Sequence, residues 1–175
     1  MIFEHVAYHP DKDLLQAMDN FMRRMRKHDW VAFRDHDTMF CNNDWWTRIR
    51  NAIQQKESSG IYTGWTNRVN CEWQVDQESP NEDNFQEHWD YDFFRKEKKL
   101  IDRTDEEQVF SGFLMVIQKA QWLKIRPFLK SKMLGMDNEI HHACRELGLR
   151  IYQADIYLYH RYRWGVKEDK YHLKQ

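Results

Sequence analysis

The sequence predicts an α/β fold: one compact domain over residues 1–175, with a mainly parallel, mixed sheet flanked by helices. Three observations predict it. β-like runs at 2–8 (IFEHVAY) and 30–33 enclose a helical period at 13–27, the pattern of a β-α-β crossover with parallel pairing. The run at 110–117 (FSGFLMVI) is apolar enough for the centre of a sheet covered on both faces. Two short β-like runs, 150–154 and 156–160, close the pattern after a helix.

Each element has a local reason. In 13–27, Leu14, Met18, Phe21, Met22 and Met25 share one helical face, and Arg23, Arg24, Arg26 and Lys27 suit the negative end of the helix dipole. The Met stripe reads as core. Asn43 is a good cap for a helix running to about residue 55, with Trp46, Ile49 and Ile53 inward. Gly60 punctuates, 61–65 (IYTGW) is β-like, and Thr66, Asn67 and Arg68 form a polar continuation able to face a ligand. Arg68 is either a phosphate contact or an ordinary surface arginine. Residues 74–108 form a polar excursion, dense in Asp, Glu, Asn, Gln and Lys, with a helix expected around 85–99. Gly112 would let a ligand or a second backbone approach the central strand. A short helix at 119–125 stops before Pro127, and a basic loop leads to Asp137, which reads as the cap of a helix through Leu147 with Gly148 after it.

Composition narrows the function classes. The formal charge is −1 with both signs mixed, so the chain lacks the basic footprint of a nucleic-acid binder. Three cysteines without a Cys-x-x-Cys spacing argue for a reducing compartment and against structural zinc. No run approaches the roughly 20 apolar residues of a membrane span, and the N-terminus carries no signal-peptide core. The expectation is a cytoplasmic protein without an integral membrane segment.

The stretch 29–46 (DWVAFRDHDTMFCNNDWW) concentrates the chemistry. An apolar strand ends in Asp35-His36-Asp37, and Met39 and Phe40 lead on to the next helix. Two carboxylates one residue apart at a strand's C-terminal end make a hard-oxygen clamp for Mg²⁺ or Mn²⁺, and an ion there would suit a diphosphate. Asp-x-Asp also occurs at Asp11/Asp13 and Asp90/Asp92, and sixteen aspartates would give roughly one or two such pairs by chance. Only Asp35/Asp37 follows a β-type run. Context, not the motif, singles it out.

Four blocks in order carry a resemblance: DWVAFRDHDTMF, YTGWTNRVN, FSGFLMVIQKAQWLKI and GMDNEIHHACRELGLRIYQADIYLYHRYR. Together they resemble the family-2-like glycosyltransferases of the GT-A type, in a short, N-terminally abbreviated bacterial or phage-like form. The resemblance implies a minimal GT-A architecture and a metal-dependent transfer of a sugar from a nucleoside diphosphate sugar to an acceptor hydroxyl of unspecified kind. It implies that Asp35 and Asp37 hold Mn²⁺ or Mg²⁺ and the donor's diphosphate, that His160 adds a late metal ligand, and that Asp137 is the general base. His160 also reads as an ordinary strand-end histidine, and Asp137 as a simple cap. Glu139 stands beside Asp137 as a substitute base, while His141 and His142 read as structural. The helix at 13–19 reads DLLQAMD where short relatives carry an Asn-x-Gly-Lys-Ala-x-Asn pattern. That departure supports a rival reading, a degenerate GT-A-like binding module or one needing a partner subunit; a homo-oligomer is compatible with both. Phosphoryl transfer lacks a GxxxxGKS loop.

Overall fold

The computed structural model describes residues 1–56 and 60–161, so the tail aromatics Tyr162 and Trp164 lie outside the described residues. The chain runs β1 (Ile2–Val6), α1 (Leu14–Arg24), β2 (Trp30–Arg34), β3 (Thr38–Phe40), α2 (Trp45–Gln55), β4 (Gly60–Thr66), α3 (Phe85–Phe94), β5 (Ile101–Asp102), β6 (Leu114–Gln118), α4 (Lys119–Ile125), α5 (Met136–Glu146) and β7 (Arg150–His160). One sheet takes the strand order β1-β2-β6-β4-β7-β3, with β5 also on β7.

The alternation of strand residues explains why the sheet is covered twice. Val31, Phe33, Met115, Ile117, Ile61 and Ile151 point into a core shared with α1, α4 and α5. Their neighbours Trp30, Ala32, Leu114, Val116, Tyr62 and Tyr152 point to the opposite face, where Ile49, Ala52 and Ile53 of α2 cover them. Side chains of successive strand residues face opposite ways, so a run apolar at every position demands two coats of helix. β6 is the central strand that its composition predicts, lying between β2 and β4.

The β-α-β expectation holds at β1 and β2, which pair in parallel with Val31 opposite Phe3. The sheet as a whole is mixed rather than mainly parallel: β1–β2 and β4–β7 are parallel, while β2–β6, β4–β6, β3–β7 and β5–β7 are antiparallel. The two expected closing runs are one bent strand, β7, whose register against β4 shifts between Thr63 and Trp65.

Caps account for the helix bounds. Asp13 caps α1 by accepting from the Gln16 amide at 2.9 Å, and Lys119 Nζ donates to the Met25 and Arg23 carbonyls at its other end. Asp44, not Asn43, precedes α2, and Gly135 at φ +85°, not Asp137, precedes α5. The left-handed backbone at 135 suits glycine and sets the entry angle, which moves Asp137 inside the first turn. The segment 74–108 is folded onto the sheet by polar contacts: Gln74 Nε2 donates to Thr63 Oγ1 at 2.7 Å, the Asp76 amide donates to the Thr66 carbonyl at 2.9 Å, and buried His88 meets the Tyr157 hydroxyl at 2.6 Å.

Candidate metal centre

β2, β4 and β7 all point the same way, so their C-terminal residues share one end of the sheet, where ligands of open α/β sheets bind. The turn after β2 carries the chain across that end to β3 at the far edge. Its corner is stapled at the Asp35 carbonyl, which accepts from the Thr38 amide at 3.2 Å, the Thr38 hydroxyl at 2.8 Å and Arg34 Nη1 at 3.2 Å. The Asp35 amide donates to the Phe113 carbonyl at 3.0 Å, extending the β2–β6 ladder by one step. His36 is exposed, while Asp35 and Asp37 are half-buried on the inner side. A rigid corner therefore turns both carboxylates one way.

His160 arrives opposite. Thr38 pairs with His160 in the β3–β7 ladder, and the Arg161 amide donates to the Asp37 carbonyl at 2.9 Å. Ligand atoms of Asp35, Asp37 and His160 all lie within 4.8 Å of one another, and His160 Nε2 is 3.4 Å from Asp37 Oδ1. The imidazole is oriented from behind, with Nδ1 3.0 Å from the Arg68 carbonyl. A carbonyl only accepts, so Nδ1 carries the proton and donates. In the neutral ring Nε2 is then the lone-pair atom, turned toward the carboxylates.

Asn67 completes the support. Its Oδ1 accepts from the His160 amide at 2.7 Å and its Nδ2 donates to the His160 carbonyl at 3.1 Å; Arg68 Nε donates to that same carbonyl at 3.1 Å. The register shift in β4 delivers Asn67 to this place. A Cβ on Gly64 would stand 2.5 Å from the Ile156 carbonyl oxygen, so only glycine lets the two backbones close there. Arg68 is buried rather than a surface arginine. Sequence reasoning marks 66–68 as a polar continuation facing a ligand but gives no role to Asn67; the contact joins residues 93 apart, and no local pattern encodes it.

Two carboxylate oxygens and one imidazole nitrogen make a donor set that fits Mn²⁺ well and Mg²⁺ less closely, since imidazole is the softer ligand. Asp137 stands at the same end of the sheet. A side-chain carbon at Gly112 would lie 3.6 Å from the Asp137 Cβ, and Gly112 immediately precedes Phe113, to whose carbonyl Asp35 is tied. The Asp137 side chain is half-buried and accepts from the Asn138 amide at 3.0 Å. Glu139 is occupied elsewhere, binding the Lys130 amide at 2.7 Å and the Ser131 amide at 2.9 Å. Burial raises its pKa, but these donors outweigh that and hold it below the ordinary range.

The other two Asp-x-Asp pairs do structural work. Asp13 is the α1 cap, and Asp92 is bound into a buried cluster with Arg95 and Arg48. No family model matches the chain, and no curated protein or solved structure compared with it matches either. Among the described residues, no helix is long and apolar enough to cross a membrane.

Proposed function

We propose that this protein is a metal-dependent glycosyltransferase that moves a sugar from a nucleoside diphosphate sugar to an acceptor hydroxyl. One observation carries the reading: Asp35, Asp37 and His160, from two distant parts of the chain, converge within 4.8 Å at the end of the sheet where β2, β4 and β7 finish. A divalent ion held there would supply positive charge against the developing negative charge of a leaving diphosphate. Asp35 and Asp37 would offer it the anionic oxygens, and His160, held by Arg68 and Asn67, the neutral nitrogen. Arg68, buried beside the triad, is the donor-side arginine of this reading. Asp137 faces the same end across Gly112, where its carboxylate accepts the proton of the acceptor hydroxyl.

The test couples metal and donor. Titration of the full chain with Mn²⁺, followed by the ion's own magnetic resonance signal, is expected to show one site that Asp37→Ala removes. With Mn²⁺ present, at least one of a panel of nucleoside diphosphate sugars is expected to raise Tm and undergo slow hydrolysis. Asp137→Asn is expected to keep both binding steps and lose turnover. Metal binding with no response to any sugar nucleotide overturns the transferase and leaves the binding-module reading. Absence of a metal site likewise overturns the transferase.

A further inference from the structure

The end of α4 and the loop from it to α5 carry a surface that sugar transfer does not use. Large apolar side chains stand in solvent at Leu123 (57% exposed), Phe128 (39%), Met133 (46%) and Leu134 (87%), all within twelve consecutive positions. Lys124, Lys130 and Lys132 are interleaved with them and exposed. Phe128, Met133 and Leu134 bracket Lys130 and Lys132 in a stretch that can extend at most about 20 Å.

The backbone beneath the patch is fixed. Leu129 is buried in the core, the Leu14 amide donates to the Lys132 carbonyl at 2.8 Å, and Glu139 binds the Lys130 and Ser131 amides. Arg126 Nη1 donates to the Leu129 carbonyl at 3.2 Å. Pinned from inside, the loop holds lysines and apolar tips outward at a standing cost in exposed hydrocarbon. A nucleic acid would engage the lysines but offers nothing to Leu134. A bilayer interface with anionic lipid engages both, taking apolar tips below the headgroups and leaving the ammonium groups at phosphate level.

We propose that residues 123–134 dock this protein on anionic membrane surfaces. Met136 opens α5 directly after the patch, so docking brings the helix bearing Asp137 up to the lipid headgroups. The proposal does not depend on the transferase reading. A second exposed apolar pair, Phe93 and Phe94, lies beside exposed Lys96 and Lys99, but exposed Asp90 and Glu97 stand among them, whereas residues 123–134 hold no acidic side chain.

Cosedimentation of the full chain with vesicles tests it. Binding is expected to vesicles of equal parts phosphatidylcholine and phosphatidylserine, not to phosphatidylcholine alone, and is expected to weaken with salt. The double variant Lys130→Gln/Lys132→Gln is expected to bind about twenty-five-fold more weakly, at about five-fold per lysine. Met133→Ser/Leu134→Ser is expected to abolish binding without changing Tm, and Phe93→Ser/Phe94→Ser to leave it intact. No binding by wild type, or equal binding to both vesicle types, overturns the proposal. So does full binding by Met133→Ser/Leu134→Ser with loss only in the lysine variant, which marks a general polyanion site. Loss of binding in the Phe93/Phe94 variant moves the surface elsewhere and also overturns it.

Discussion

Asp35/Asp37 and Asp90/Asp92 are the same three-residue motif, yet the fold gives them opposite chemistry. Asp92 sits against guanidinium groups: Arg95 Nε at 2.5 Å and Arg48 Nη1 at 3.5 Å, with Asp155 closing the cluster on Arg95 Nη1 at 2.6 Å. Its side chain is 0% exposed and that of Arg95 3%. Arginine only donates and does not lose its proton, so this cluster is neutralised from within and has nothing to offer a cation. Asp37 meets an imidazole, which when neutral is itself a ligand. The partner's acid–base character, rather than the acidic pair, separates a structural aspartate from one able to hold a metal.

The largest effect that would break this comparison is exchange of roles. Asp37→Ala is expected to cost at least the ten- to hundred-fold in Mn²⁺ affinity that outer-shell changes cost, and to abolish transfer. Asp92→Asn is expected to leave the Mn²⁺ titration unchanged. It should instead lower stability in urea unfolding, by less than the about 3–5 kcal/mol of an uncompensated buried charge, because Arg95 loses one carboxylate but keeps Asp155. A metal effect of Asp92→Asn, or a mainly structural effect of Asp37→Ala, reverses the assignment.

A smaller effect sharpens the contrast at one remove. Asn67 bonds His160 through its backbone and not its ring, besides accepting from the Thr66 hydroxyl, so Asn67→Ala keeps all three candidate ligands while loosening one of them. Mn²⁺ affinity is expected to fall by about ten- to hundred-fold. His160→Gln separates ligand from support: it removes the imidazole but leaves its backbone bonds to Asn67, and its loss in affinity is expected to exceed that of Asn67→Ala.

What could be read in advance follows the range of the interaction. The Met stripe fixes α1, and an apolar run without alternation fixes β6 as central, because both depend on neighbours along the chain. The place of Asp35 and Asp37 at the end of β2 was legible from the apolar run before them. The caps at Asp44 and Gly135 were misplaced by one or two positions, since backbone geometry selects among adjacent candidates. The burial of His88 and Asp92 in a segment dense in charge was not legible: Tyr157, the partner of His88, lies 69 positions away, and Asp92 adds to its neighbour Arg95 a second arginine, Arg48, from another helix. The same holds for Asn67 and for Gly64, whose need for glycine arises from the Ile156 carbonyl across the ladder.

His141 gives the smallest effect and the opposite extreme to Asp92. It is 1% exposed beside Phe110, and neither ring nitrogen has a hydrogen-bond partner among the described residues. Burial lowers its pKa below the ordinary 6.5, with the charges of His142 and Arg145 acting the same way. The folded state therefore keeps the ring neutral to a lower pH than the unfolded chain does. Stability is unaffected by this group above pH 6.5, and it declines as the pH falls below that value toward the lowered pKa, because the unfolded state gains the proton first. His5 is shifted the same way by burial, so wild type alone does not isolate the effect. His141→Leu does. It is expected to be near neutral or stabilising at pH 8, since it removes an unmatched polar group, and to flatten the acid limb of the urea midpoint against pH. An unchanged acid limb would mean that the ring finds a partner as it charges, and that burial without a partner is tolerated here by rearrangement of α5 rather than endured.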